Sequence, residues 1–463
     1  MRRYVVSRAS TTLFAVACSV ALQGCGRQAP APTAAPKVIL LIGDGMDDHQ
    51  ITIARNYLVG HAGRLVLDDM PERSAVQVLT VAEDDPTQPV YVADSANSAT
   101  AMSAGIVTSA GRIATTAKTD QDVVTIMELA IAAGFGTGIV TTSSVTDATP
   151  ASFIAHVSER LCEGPEGMVR RNERIPAFST DCSADYKARG GRGSIAEQIA
   201  ASQLDVVLGG GAQHFGQAAE GEAGKTVRDV AAASGFHVIG AASELATLPP
   251  DRRVLGLFSR STMPVQWRGA ENAVAALVVR QDDGRPRLPE PFVCEPNPDF
   301  AGLPSLAEMA RTALARLDDG RSFMLMIESA SIDKQSHLRR PCGQIGELAQ
   351  LEETLALVLE YTRAHPETLV LVTADHGQAA KLVPQTSVLA ALNAASIGYF
   401  ARLRTPEGAV MGINYATNDS ELQEDHTGVQ VPLFASGLRG RDLPAMVPQT
   451  EIFEIAAEHL GLR

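Results

Sequence analysis

The apolar residues of the chain gather in short unbroken runs, separated by stretches of helical period. Val38–Ile42 is continuous, and Gly136–Thr141, Val206–Leu208, Phe323–Ile327 and Thr368–Thr373 repeat the pattern. Runs of this length without polar alternation read as strands buried on both faces. Between them, helical patterning predicts helices over Val123–Ala133, Ser194–Ser202, Leu306–Leu317 and Gly343–His365. Buried strands alternating with helices predict an α/β fold, a three-layer sandwich with a mostly parallel central sheet flanked by helices.

Polar residues of ligand type recur just after these runs. Asp44 follows the first, Thr142–Thr149 the second, Glu328 the fourth, and Asp375 with His376 the fifth. Ligands bind at the carboxyl edge of open α/β sheets, so residues far apart in sequence are expected to meet on one rim. Small residues and good helix formers follow Ser95; a helix starting there aims free N–H groups at whatever Ser95 attacks, a natural seat for phosphate. Taken alone, Asp94-Ser95 also reads as a plain helix cap. Asp333 and His337 are four apart, share a helix face and can grip one ion, and His426 supplies a further imidazole near the end of the chain.

With 463 residues, 45% of them hydrophobic, the chain can bury a large core. A formal charge of −14 argues against nucleic acid as a partner, although a small phosphate ester responds to local rather than net charge. Arg2, Arg3 and Arg8 precede an apolar stretch, Ala9–Leu22, too short to span a bilayer comfortably. Leu22-Gln23-Gly24-Cys25 resembles a bacterial lipobox, so residues 1–25 are expected to be a lipoprotein signal peptide with Cys25 lipidated. Residues 26–37 are expected to form a Pro/Ala-rich linker suited to hold residues 38–463 off a membrane. The expected location is exported, either periplasmic or anchored to the outer membrane. Cys162, Cys182, Cys294 and Cys342 are an even set suited to two disulfides in an oxidising compartment. Three pairings are possible, of which Cys162–Cys182 with Cys294–Cys342 is the local one. None has the CxxC spacing of a zinc–thiolate site.

In order along the chain, Asp44, Asp94-Ser95, Thr146-Asp147-Ala148-Thr149-Pro150, Arg160, Glu328, Asp333, His337, Asp375-His376 and His426 resemble the bacterial alkaline phosphatase family. The resemblance runs from Val38 to about Leu462 and takes in Ile42-Gly43-Asp44-Gly45-Met46 and Ala330-Ser331-Ile332-Asp333-Lys334-Gln335. It implies that residues 38–463 are one catalytic domain hydrolysing phosphate monoesters through a phosphoserine on Ser95, with two Zn²⁺ and one Mg²⁺. It further implies that Asp333, His337 and His426 hold the first zinc, and Asp44, Asp375 and His376 the second. Asp44, Thr149 and Glu328 would hold magnesium. Arg160 would grip phosphate, Asp147 would help to position it, and Lys334 would reach phosphate through water. The local cysteine pairing and a homodimer are implied as well. Imidazole with carboxylate suits zinc, and carboxylate with hydroxyl and water suits magnesium.

The chain departs from the family pattern in a few places. Asp47, Asp48 and His49 follow the first motif, where capping of the next helix is the expected role. Asn97 stands two residues after the nucleophile. Gln378 stands where relatives commonly carry histidine, and its amide N–H can support a zinc-binding carboxylate. His156, on a strand-like stretch, is expected to pack in the core, Gly209–Gly211 to turn, and Trp267 to pack; His61 and His214 have no predicted partner. Two other readings compete: a sister enzyme of the same metal architecture acting on phosphodiesters or sulfate esters, and a non-catalytic lipoprotein that binds metal or phosphate. Arg160 with Thr149 and Glu328 favours a dianionic monoester over the first, and the complete ligand set opposes the second.

Overall fold

Strand β1 (Lys37–Gly43) is buried along its whole length and lies inside a ten-stranded sheet. The computed structural model describes residues 35–175, 179–282, 286–385 and 398–463. The expected signal peptide with Cys25, and the linker as far as residue 34, lie outside these residues. The remaining strands of the sheet are β2 (Glu72–Gln77), β3 (Gly136–Ser144), β4 (Val206–Gly210), β5 (Phe236–Ile239), β6 (Arg253–Leu257), β7 (Phe323–Ser329), β8 (Thr368–Ala374), β9 (Val431–Ser436) and β10 (Met446–Pro448). They run in the order β10-β2-β9-β8-β1-β7-β3-β4-β6-β5. Neighbours are parallel except at β9, which is antiparallel to both β8 and β2.

Register matters most for the site. Gly43 of β1 pairs with Ser329 of β7 and Ala374 of β8, so these three strands end in step. Asp44 and Asp375 therefore emerge side by side at the carboxyl edge.

The helices that frame the sheet are α1 (Asp48–Leu58), α2 (Ser95–Ala104), α3 (Ile126–Ala132), α4 (Ile195–Ala201), α5 (Leu306–Leu317), α6 (Ser331–His337), α7 (Pro341–Ala364) and α8 (Glu451–Leu460). α7 packs against α1 and α5, and α2 packs against α3 and α8. α5 shows how sequence dictates this: Leu306, Met309, Ala310, Ala313, Leu314 and Leu317 form its buried stripe, and Ser305 with Glu308 closes a capping box at its start. α2 is buried all round, which its Ser, Ala and Thr side chains permit by letting neighbours approach closely.

Several local expectations are corrected. α3 begins at Ile126 rather than Val123, because Thr125 caps it reciprocally with Glu128. Gly209 and Gly210 finish β4, and only Gly211, at φ +97°, turns. A Cβ on Gly210 would lie 1.9 Å from the Ser261 carbonyl oxygen, so close approach explains that glycine. His156 is buried as expected but lies outside any strand, bonded to the Ala114 carbonyl and the Glu128 carboxylate. Asp47 caps α1, and Trp267 packs edge-on against Tyr57. His61 and His214 do find partners, in Glu407 and Glu163. The disulfides are Cys162–Cys182 and Cys294–Cys342, the local pairing. Among the described residues no helix is long and apolar enough to cross a membrane.

Candidate active site

The ends of β1, β7 and β8 bring together residues from the first and last thirds of the chain. Gly45, at φ +67°, turns the chain directly after Asp44, a conformation that favours glycine. Its N–H donates to Asp375 Oδ1 at 2.9 Å, tying the two strand ends. Glu328 is the penultimate residue of β7, and α6 follows at once, carrying Asp333 and His337 one turn apart. His426 arrives on the segment before β9, and α2 presents Ser95 at its first position, capped by Asp94.

Two groups of donors result. Ligand atoms of Asp333, His337 and His426 all lie within 4.8 Å of one another, as do those of Asp44, Asp333 and His376. Asp333 belongs to both. Asp375 Oδ2 joins the second group, 3.4 Å from His376 Nε2. Ser95 Oγ is 3.2 Å from the same nitrogen.

The donor set fits cations on its own terms. His337 and His426 direct Nδ1–H at the carbonyls of Glu424 and Ala93, which leaves both Nε2 atoms as lone pairs. Those two nitrogens face each other at 3.0 Å, a separation that suits two ligands of one cation. Asp44 Oδ1 and Asp375 Oδ2 are buried without a hydrogen-bond partner among the described residues. Burial, with Asp375 and Asp333 alongside, holds the Asp44 carboxyl well above its ordinary range. Burial and the neighbouring His376 bring His426 down to about 4, keeping its ring neutral at physiological pH. Such a cluster without positive charge would be costly, and bound cations would offset that cost.

A third group lies beside these. Glu328 is buried, bonded by the hydroxyls of Thr141 and Ser143 and close to that of Thr149. Burial raises it to about 7, with the Asp147 carboxylate adding to the shift. Asp147 takes Arg160 Nη2 at 3.1 Å and Lys334 Nζ at 2.6 Å. Although burial opposes it, those two cations hold the Asp147 carboxyl well below its ordinary range. Arg160 Nη1 also donates to Asp94 Oδ2 at 3.1 Å, so the guanidinium is gripped by two carboxylates.

The structure thus gathers Ser95, Asp44, Asp333, His337, His426, Asp375, His376, Glu328, Thr149, Asp147, Arg160, Lys334 and Asp94 at one edge. Gln378 donates its amide N–H to Asp333 Oδ1, and its backbone N–H donates to Asp47 Oδ2 at 3.2 Å. Asn97 completes a capping box with Asp94, accepting its N–H at 2.8 Å. Sequence reasoning missed Thr141 and Ser143, whose hydroxyls sit inside a strand, and Glu347. The buried Glu347 carboxyl accepts from Thr142, Ser329 and Gln350, bolting β3, β7 and α7 together just below the site. An apolar run ending in hydroxyl residues, as in Gly136–Ser144, is the signal that could have found the first pair.

A family profile described as alkaline phosphatase matches residues 35–424. Streptomycin-6-phosphate phosphatase of Streptomyces griseus is 40% identical over 98% of this chain and 96% of its own length. The alkaline phosphatase of Escherichia coli K12 is 38% identical over 93% of this chain and 87% of its own. Among solved structures, the alkaline phosphatase of the Antarctic bacterium TAB5 superposes with a TM-score of 0.66 at 21% identity, covering 93% of this chain and 99% of that one, a likeness of fold. The cluster of carboxylates, imidazoles and a buried serine, together with these matches, makes the chain a member of the alkaline phosphatase family, metal-dependent hydrolases of phosphate monoesters.

Proposed function

We propose that Ser95 is the nucleophile of this hydrolysis and that the three groups of donors hold two zinc ions and one magnesium ion. Asp333, His337 and His426 would hold one zinc; Asp44, Asp375 and His376 the other; Asp44, Thr149 and Glu328 the magnesium. The observation that carries this reading is the placement of Ser95 Oγ, 3.2 Å from His376 Nε2 at the edge of the donor cluster. When bound, the ions supply Lewis acidity toward the serine hydroxyl, the attacking water and the phosphoryl oxygens.

The chain's own residues do the rest. Ser95 stands at the start of α2, only 3% exposed, so little water competes for the phosphoryl group. Its Oγ lies 3.2 Å from His376 Nε2, beside the atoms that would hold the second zinc. Arg160, held from behind by Asp94 and Asp147, offers its remaining N–H groups to non-bridging phosphate oxygens. Lys334 adds positive charge from the Asp147 side. In the first step the Ser95 Oγ–P bond forms in line as the P–O bond to the leaving alcohol breaks, and the alcohol takes a proton. In the second, water attacks phosphorus, the Ser95 Oγ–P bond breaks, and phosphate leaves with the serine hydroxyl restored.

Ser95→Ala tests the assignment. The variant should trap no phosphate on acid quench while keeping the parent's zinc and magnesium content. Phosphorylated Ser95→Ala protein, or turnover at the parent's rate, would overturn it. Chelator should silence the parent, and zinc with magnesium should restore it.

Two disulfides fit an exported protein. Residues 1–25 are proposed as a lipoprotein signal that leaves Cys25 lipidated, and a homodimer as the working assembly. Mass spectrometry of the mature N-terminus and sedimentation of the holoenzyme check the two in turn.

A further inference from the structure

A cavity of about 920 Å³ opens at the carboxyl ends of β4 and β6, and Glu163 and His214 stand in its wall. Neither side chain touches the donor cluster, yet both are tied to it by one short path. Glu163 Oε2 accepts from Thr146 Oγ1 at 2.6 Å and lies 3.1 Å from His214 Nε2. The Thr146 hydroxyl is also 2.7 Å from Ser144 Oγ, so it can accept from Ser144 while donating to Glu163.

Thr146 immediately precedes Asp147, and Glu163 follows Arg160 by less than one helical turn of sequence. Two segments, 144–147 and 160–163, are therefore joined by two rungs. The inner rung is Asp147 Oδ1 with Arg160 Nη2 at 3.1 Å. The outer rung is Thr146 with Glu163. One side of this ladder is independently fixed. Arg160 N donates to the Gly111 carbonyl at 2.7 Å, Ala196 N donates to the Glu163 carbonyl at 2.8 Å, and Cys162 is bridged to Cys182. The other side, carrying Asp147, is held by Val145 N to the Gly210 carbonyl at 3.2 Å, Asp147 N to the Ser144 carbonyl at 2.9 Å and Ala151 N to the Asp147 carbonyl at 3.0 Å, and Thr146 supplies the link across.

We propose that Thr146 and Glu163, backed by His214, are positioning residues for phosphate binding: their hydrogen bond holds Asp147 where it aims Arg160 and Lys334. This rests on the reading of Arg160 as the phosphate-gripping residue. The physical reason is the charged acceptor. A hydrogen bond to a carboxylate resists displacement more than a neutral one, and a guanidinium that must meet two phosphate oxygens tolerates little error in placement. Losing the outer rung removes the side-chain tie between the two segments that does not involve a cation, and leaves the aim of the Asp147 carboxylate to its own backbone bonds and the two cations.

The test uses the zinc- and magnesium-loaded full chain with p-nitrophenyl phosphate as substrate and inorganic phosphate as competitive inhibitor. Glu163→Ala and Thr146→Val should each raise KM and the phosphate Ki together, by about tenfold, with a smaller change in kcat. The double variant should be no worse than the poorer single, because both break the same bond. Thr146→Ser, which keeps the hydroxyl and the charged acceptor, should recover most of the loss, and Glu163→Gln, whose neutral amide oxygen still accepts from Thr146, only part of it. Arg160→Ala serves as reference. If it raises the phosphate Ki while both single variants leave Ki unmoved, or if the two single losses multiply in the double variant, the positioning role is overturned. If Arg160→Ala itself leaves Ki unmoved, the reading of Arg160 fails and the positioning role fails with it.

Discussion

Adding one methyl group at Gly45 tests whether the two groups of donors depend on a shared carboxylate. Gly45 sits at φ +67°, where a side chain costs on the order of 1 kcal/mol. A Cβ there would meet Asp333 Cβ at 3.0 Å, Asp333 Cα at 3.1 Å and Gln378 Cβ at 3.2 Å. Ordinary contact needs a few tenths of an ångström more at each atom. Asp333 is the first acidic residue of α6, and its carboxylate reaches the donor atoms of both groups. Gln378, pushed in the same direction, is the side chain that donates to Asp333 Oδ1. Gly45→Ala therefore shifts the Asp333 carboxylate and its supporting amide at once. Disturbing a supporting partner of a metal ligand typically lowers affinity by about 10- to 100-fold, and a similar loss of zinc affinity is expected here. Competition for zinc against a chelator of known affinity measures it, with circular dichroism confirming the fold. Gly45→Ala protein that is folded, binds zinc as tightly as the parent and turns over at the same rate would refute the reasoning.

Other predictions are simpler to run. Gln378→Leu removes the amide donor to Asp333, so zinc affinity should fall by about tenfold with little loss of thermal stability, again read by chelator competition. In Glu128, burial works to raise the carboxyl, but His156, the Thr125 N–H and Arg192 outweigh it and bring it down to about 2 from 4.5. Its stabilising contribution is therefore complete above pH 4.5 and lost as pH falls toward 2. After allowance for its partial exposure, Glu128→Gln should cost about 1–2 kcal/mol at pH 7, a deficit that shrinks in melts taken below pH 4.5. Opening Cys294–Cys342, which spans 48 residues, should cost about 4 kcal/mol, against about 3 for Cys162–Cys182 at 20, as compared by denaturant unfolding of the two Cys→Ser pairs.

The parts of the fold that sequence reveals are those governed by local pattern. Val38–Ile42 and Phe323–Ile327 could be read as interior strands because both faces are covered, leaving no polar position to interrupt them. The carboxyl-edge rule then places Asp44, Glu328 and Asp375 together. Direction was not legible in the same way: nothing in Val431–Ser436 distinguishes the one reversed interior strand from its parallel neighbours. Contacts that cross the chain were also hidden. The carbonyls of Ala93 and Glu424, which orient His426 and His337, belong to residues whose side chains say nothing about the role. Glu347 looks in sequence like a solvated acid on a long helix, and only packing shows it buried among hydroxyls. His214 had no partner in sequence because Glu163 comes from another loop.

The placement of β1 bears on how the enzyme is born. It is the earliest strand of the sheet to leave the ribosome, yet both of its neighbours, β7 and β8, are synthesised in the final third. Its greasy edges must wait for them, and closing so large a loop is slow. A nascent or truncated chain lacking β8 has no Asp375 or His376 to set beside Asp44, and so cannot assemble the centre. Hydrolytic power would then switch on only once the last third of the chain has been made and folded against the first strand.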